Sequence, residues 1–276
     1  MVYCVQVRSM EKYKFAVIGG GRLGSALANA LKCRGQEIIA VTHRNDDIAA
    51  AVRGADIVAL TITDGRIVWA AKELAQAFAQ MPAQERPKYA FHVSGATTLA
   101  PLMPLKELGI GVGSFHPLQT FTPAAKEDTD IFAGIYCAVA GEGDISLFLQ
   151  EMADLLGAKT FSVPDDEESR ARYHAAACIA CNYLVTLTAM AQEIFSPWMD
   201  RPEDGLAAIM PLVKNTVNNL SRADSAIDVL TGPIARGDTD TVDRHRLALS
   251  PNMREVYEAL CKETIAQMLK RNGKNN

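Results

Sequence analysis

Over the first 164 residues, short apolar runs alternate with longer stretches whose apolar positions recur every three or four residues. Lys14–Ile18, Glu37–Thr42, Ala55–Ile62, Lys88–Val93, Ile110–Phe115, Ile135–Ala140 and Lys159–Val163 read as strands. Arg22–Cys33, Asp46–Val52, Ile67–Gln80, Leu99–Leu108 and Ile145–Leu156 read as the helices between them. Ala55–Ile62 is apolar throughout, as expected of a strand covered on both faces. Alternating strands and helices predict an α/β fold with a doubly wound, mostly parallel sheet. After Val163-Pro164 the pattern becomes helical without a convincing strand: Glu167–Phe195, Gly205–Ser221, Asp224–Leu230, Thr239–Ala248 and Asn252–Lys270. The expected organisation is an N-terminal lead over 1–12, an α/β domain over 13–164 and an all-α domain over 165–276.

Composition narrows the class of partner. With 49% hydrophobic and 22% charged residues, 276 residues can bury a sizeable core. The net charge of −4 is spread over both halves, and phosphate-backbone binding needs concentrated positive charge, so nucleic acid is excluded as the expected partner. Six cysteines are too few for a disulfide framework, and Met1–Ser9 lacks the continuous apolar core of a signal peptide, so a cytoplasmic protein is expected. Tyr173–Gln192 carries no formal charge but includes His174, Asn182, Thr186 and Thr188. A helix buried inside protein is expected there, with no membrane span.

Gly19-Gly20-Gly21-Arg22-Leu23-Gly24 fits G-x-G-x-x-G between the strand Phe15–Ile18 and a helix opening at Ser25-Ala26-Leu27, the context that makes the motif a dinucleotide fingerprint. Gly19 permits the tight turn, Gly21 allows the backbone to approach a pyrophosphate, and Gly24 lets helix pack on strand. The helix N-terminus adds free N–H groups and positive potential. Residues 13–164 are therefore expected to be a Rossmann dinucleotide-binding domain. NAD sites place an acid at the end of the second strand, whereas this chain has Thr42-His43-Arg44-Asn45, and Arg44 suits a 2′-phosphate. NADP(H) is the expected cofactor. Thr63-Asp64 and Ser94-Gly95 follow later strands at their carboxyl ends, where ligands of open α/β sheets bind, and Thr63, Asp64 and Ser94 complete the expected cofactor contacts.

Of five histidines, His116 is the candidate proton donor or acceptor, because Ser114-Phe115-His116-Pro117 ends a strand on the cofactor side. His92 lies within a strand and reads as a packed residue. His174, Cys178 and Asn182 are spaced i, i+4, i+8, on one helix face, so His174 and Asn182 join the catalytic candidates. Cys178-Ile179-Ala180-Cys181 lies mid-helix without a second ligand pair, so no metal is expected. Thr231–Asp238, with its Gly-Pro and Arg-Gly-Asp, is a shaped loop in which Arg236 is the candidate clamp for a substrate carboxylate, with Asp238 or His245 holding it.

Together, Gly19–Gly24, His92–Ala96, Ser114–Phe121, Tyr173–Asn182 and Thr231–Asp238 resemble a bacterial family that pairs a Rossmann-like domain with a helical domain of unassigned function. That family is similar in architecture to pyrroline-5-carboxylate reductase, prephenate dehydrogenase, 6-phosphogluconate dehydrogenase and the deazaflavin-dependent NADP oxidoreductases. The resemblance implies a homodimer through the helical domain and an active site at the domain cleft. In prephenate dehydrogenases a His-Pro after a strand carries the catalytic histidine, and His116-Pro117 matches it. β-Hydroxyacid dehydrogenases carry a Lys and an Asn four apart on the corresponding long helix, but this chain has no lysine there.

The expected function is NADP-dependent hydride transfer to or from a small carboxylate-bearing carbonyl, imine or alcohol. A sensor that binds NADP(H) without turnover is the alternative.

Overall fold

The computed structural model describes residues 10–273, and the expectations placed on Met1–Ser9 lie outside them. The chain forms two compact units, the first ending at Cys181 and the second beginning at Asn182.

The first unit contains β1 (Lys14–Ile18), α1 (Arg22–Cys33), β2 (Glu37–Thr42), α2 (Ile48–Ala51), β3 (Ile57–Leu60), α3 (Asp64–Ala79), β4 (Tyr89–His92), α4 (Met103–Lys106), β5 (Gly111–Pro117), β6 (Tyr136–Gly141), α5 (Asp144–Leu155), β7 (Lys159–Ser162) and α6 (Glu167–Ala180). Its seven strands lie in the order β2-β1-β3-β4-β5-β6-β7. The first five are mutually parallel, β6 runs antiparallel to β5, and β7 follows β6 in parallel. This is the Rossmann-type, mostly parallel α/β sheet that the alternating pattern predicts. The expected helix Leu99–Leu108 is shorter, a 3₁₀ turn at Ala100–Leu102 followed by α4. The proline pair Pro101 and Pro104 removes two backbone donors there.

Successive strand residues point to opposite faces, and both faces are buried. Phe15 and Val17 join Leu27 and Leu31 of α1 and Phe148 of α5 in one core cluster. Ala16 and Ile18 join Ile67, Leu74 and Phe78 of α3 in another on the opposite side. In α3, Ile67, Ala70, Ala71, Leu74 and Phe78 form the buried stripe, while Trp69 remains 42% exposed.

α6 begins at Asp166, whose carboxylate accepts from Ser169 N at 2.8 Å as an N-cap. Arg170, one turn in, is the one α6 residue that is fully buried. Because α6 packs on β5 through Arg170, it belongs with the sheet, and the division between units falls at Cys181.

The second unit contains α7 (Asn182–Phe195), α8 (Asp204–Leu220), α9 (Pro233–Arg236), α10 (Thr239–Ala248) and α11 (Pro251–Gly273). The segment 224–230, expected as a helix, contains a 3₁₀ turn at Ala226–Val229. Among the described residues of this unit, only Gly205, Ile209 and Cys261 are buried. Tyr183, Val185, Leu212, Leu247 and Leu269 each expose more than half of their surface. The uncharged stretch Tyr173–Gln192 is correspondingly not buried, contrary to the sequence expectation. Its apolar side chains on α6 and α7 face outward from the single chain. By length and composition alone, Glu167–Trp198 is apolar enough to cross a membrane, with a mean hydropathy of 1.4 over its most apolar window.

Candidate active site

The glycine turn and the ends of β1, β2 and β3 enclose a cavity of about 360 Å³, lined among others by Gly19, Gly20, Gly21, Thr42, His43, Arg44 and Thr63. The turn is fastened from β2: Gly20 N donates to Thr42 O at 2.6 Å and Gly19 N to Thr42 Oγ1 at 3.2 Å. From β3, Thr61 Oγ1 donates to Gly19 O at 2.7 Å. Each glycine has its own reason. Gly19 adopts φ +113°, and a Cβ there would also strike Thr61 O at 2.7 Å; a Cβ on Gly24 would collide with the Gly19 carbonyl and Thr61 Oγ1. A Cβ on Gly20 would press on the His43 ring, whereas Gly21 faces open space. The turn is therefore crowded at Gly19, Gly20 and Gly24 and open at Gly21, where the chain enters the N-terminus of α1, an arrangement suited to a pyrophosphate.

Arg44 and His43 are exposed on the cavity wall. Asp46 also lines it, and its carboxylate accepts from His43 N at 2.7 Å. The cavity lining also includes two residues the sequence reading did not single out. Arg66 lies with its guanidinium 4.6 Å from the centre of the Trp69 ring, and both line the cavity. Their i, i+3 spacing at the start of α3, directly after Thr63, was the available signal. Arg22 and Leu23 open α1, the first exposed and the second packed against the core. Asp64 occupies the first turn of α3, where its charge suits the helix dipole.

Farther along the same carboxyl-end rim, His116 lies in the last turnout of β5. Its Nδ1 shares a 2.6 Å hydrogen bond with Tyr173 Oη of α6, and the His174 ring lies 6.1 Å from its own, centre to centre. Burial pushes the His116 imidazole down to about 4; the neighbouring His174 and Arg170 charges act in the same direction, and Asp64 opposes them. Burial likewise raises the Tyr173 hydroxyl above its ordinary range. At neutral pH the two are therefore an uncharged pair. Gly95 makes room for the ring, since a Cβ at that position would lie 2.9 Å from His116 Cε1 and Nε2.

His92 is the packed residue that its strand position implies, with no exposed surface. Its Nδ1 accepts from Ser94 N at 3.2 Å, which leaves the ring hydrogen on Nε2 to donate to Thr98 O at 3.1 Å. Burial also pushes His92 down to about 4. Ser94 is itself buried, and its Oγ is engaged locally, bonded to Thr97 Oγ1 at 2.9 Å and accepting from Thr97 N at 3.0 Å.

Beneath the pair, the fully buried Arg170 donates through Nη2 to Ser114 Oγ at 2.9 Å and to Asp165 Oδ1 at 3.2 Å. Its Nε and Nη1 have no partner among the described residues. Each such buried donor costs about 1–3 kcal/mol, so its retention inside the sheet–helix seam needs a reason. Nothing in the sequence distinguishes it from a solvated helix arginine.

The helix on which His174, Cys178 and Asn182 were expected to share a face ends at Ala180. Cys178 Sγ lies 4.0 Å from His174 Nδ1, while Asn182 opens α7 in the second unit. In that unit Gly232 and Gly237 adopt φ +93° and +70° and bracket α9. Asp238 caps α10, accepting from Thr241 N at 3.1 Å. Arg236 is exposed beside it, and His245, considered as its support, pairs instead with Tyr257 Oη at 2.8 Å. Among the described residues no cluster of His, Cys, Asp and Glu has metal-site geometry.

Residues 135–264 match the model of a domain of unknown function, DUF2520. No curated protein matches the chain. Solved structures do. A protein of Bacteroides fragilis described as an NADP oxidoreductase superposes with a TM-score of 0.71 at 21% identity, over 92% of this chain and 98% of that one. A reductive aminase of Aspergillus terreus, in complex with NADPH and ethyl-5-oxohexanoate, gives 0.61 at 13%, over 93% and 95%. The pyrroline carboxylate reductase of Plasmodium falciparum, with NADP bound, gives 0.57 at 12%, over 93% and 98%. The chain thus has the fold of these reductases, a Rossmann-type sheet followed by helices.

Proposed function

We propose that this protein is an NADP-dependent oxidoreductase acting on a small carboxylate-bearing carbonyl, imine or alcohol, as a cytoplasmic homodimer. The observation that carries the reading is one rim of one sheet bearing both a nucleotide-shaped glycine cradle and an uncharged His116–Tyr173 pair. The likeness of fold to reductases described with NADP or NADPH bound supports it.

Gly19–Gly21 and the α1 N-terminus would hold the pyrophosphate, Arg44 and His43 the 2′-phosphate, and Arg66 with Trp69 the wall beside the adenosine. Bound there, NADPH supplies the hydride. The protein's part is to manage the proton. Tyr173, kept protonated by burial, donates to His116 Nδ1, which places the imidazole hydrogen on Nε2. A neutral Nε2–H can then donate a hydrogen bond to a carbonyl oxygen, an imine nitrogen or an alcohol oxygen without introducing a competing cation. His174, beside His116, is assigned to substrate orientation together with Asn182. Arg236 is assigned to the substrate carboxylate, an assignment resting on the charge and shape of the Thr231–Asp238 turn.

The dimer is supported by the helical unit, whose exposed large apolar side chains on α7, α8, α10 and α11 outnumber the buried residues among those described. A second copy of the same faces would remove them from water.

The test uses Trp69 as reporter. In a Trp198→Phe variant, the sole remaining tryptophan is expected to change its emission on titration with NADPH, and more weakly with NADH. NADPH consumption is then measured against a panel of carbonyl and imine acids, with His116→Ala retaining affinity and losing turnover. Absence of nucleotide binding would remove the whole reading. Binding with no turnover across the panel would leave the sensor function.

A further inference from the structure

We propose that Arg170 is a positioning residue for the His116–Tyr173 pair: bound to Ser114, it fixes α6 against β5 in the register that delivers the tyrosine hydroxyl to the imidazole. Two bridges span the seam between these elements, Ser114 Oγ to Arg170 Nη2 at 2.9 Å and His116 Nδ1 to Tyr173 Oη at 2.6 Å. Along β5 their anchors are two residues apart and therefore on the same face of the strand. Along α6 they are three apart, adjacent on one helix face. The lower bridge thus sets both the height and the rotation of α6 at the upper one.

The lower bridge is also braced from outside the helix. Asp165, which pairs with Arg170 Nη2 at 3.2 Å, accepts from Leu99 N through both carboxylate oxygens at 3.0 and 3.1 Å. The guanidinium is therefore held between the strand, the start of its own helix and the loop after β4. A side chain needed only to fill this seam would be apolar. A buried guanidinium that donates through Nη2 to both Ser114 and Asp165 is instead suited to directional fastening. It also adds positive charge beneath an imidazole already faced by His174 from α6, His92 from β4 and Asp64 from α3, with Tyr173 as its direct partner.

This inference deepens the proposed proton-handling role and rests on it only for its effect on turnover; the fastening is tested without substrate. Full-length protein labelled with ¹⁵N-histidine is titrated by NMR as wild type, Arg170→Met, Arg170→Lys, Ser114→Ala and, as control, the exposed Arg172→Met. The expected result is that Arg170→Met and Ser114→Ala change the His116 Nδ1 resonance and move its titration midpoint upward from about 4 towards the ordinary imidazole range. Arg170→Lys should give a smaller change than Arg170→Met, and Arg172→Met none. If Arg170→Met does not fold, Ser114→Ala decides, because it keeps the guanidinium and removes only the anchor. An unaltered His116 resonance in folded Arg170→Met, or in Ser114→Ala where that variant decides, would overturn the proposal. Loss of NADPH binding with the histidine changes intact would strike the functional reading alone.

Discussion

The edge of the His116 imidazole lies directly on Gly95, close enough that a single methyl group at residue 95 would fall 2.9 Å from Cε1 and Nε2. The neighbour it meets is a ring held at Nδ1 by Tyr173, so the ring cannot turn away without breaking that bond. Gly95→Ala is therefore expected to lower His116-dependent turnover by about tenfold or more, because small displacements of a positioned group are costly. Affinity for NADPH should be unchanged, since Gly95 is outside the glycine cradle. Steady-state kinetics beside a binding titration checks both halves.

Arg44 is the second lever. Replacing it with Asp removes a cation from the cavity wall and puts in its place an acid that favours a ribose hydroxyl and repels a 2′-phosphate. NADPH affinity should fall by about 10- to 100-fold while NADH affinity holds or improves. Parallel titrations with the two nucleotides decide the matter, and equal losses for both would remove Arg44 from cofactor selection.

Acid should weaken the first unit before it unfolds the chain generally. His92 and His116 each sit near 4 in the fold and near 6.5 when unfolded. Between those values the unfolded chain binds protons that the folded chain refuses, so stability falls as pH drops from about 6.5 to about 4 and the loss then levels off. Each imidazole accounts for up to about 3 kcal/mol on the usual conversion from pKa to free energy. Denaturant titrations across this range should show the decline, and His92→Gln combined with His116→Gln should flatten it.

The exposed apolar faces of the second unit predict concentration-dependent association. Val185 of α7 is 67% exposed, and Val185→Lys introduces a charge that a buried interface would not accommodate. Sedimentation of the wild type should give a dimer and of the variant a monomer. A wild-type monomer at all concentrations would remove the dimer from the proposal.

Much of the first unit was legible because its physics is local. The seven strand runs, the glycine turn and the switch from strand–helix alternation to pure helix follow from short-range patterning, and His116 was marked by its place before Pro117 at a strand end. What escaped was set by partners distant in sequence. Tyr173 looked less informative than His174 until α6 was laid on β5. Arg170 carries no mark of burial, and Gly95 matters only because His116 occupies the space above it. The uncharged stretch after Tyr173 was read as an interior helix because composition reports that a face avoids water without saying what covers it.

The reversal of chain direction at β6 has a consequence for how the rim comes apart. The glycine cradle is closed by bonds between residues 22, 23 and 42 positions apart, all within the β1–β3 side of the sheet. The His116–Tyr173 bond closes over 57 positions and depends on the chain passing through β6 and β7 before α6 returns along β5. The two closures are therefore expected to open separately. Opening at the β6–β7 edge would dismantle proton handling while leaving the nucleotide cradle assembled, so a partly frayed molecule would still capture its dinucleotide yet be unable to use it. Hydrogen exchange should accordingly resolve two protection levels within one continuous sheet, divided near β5.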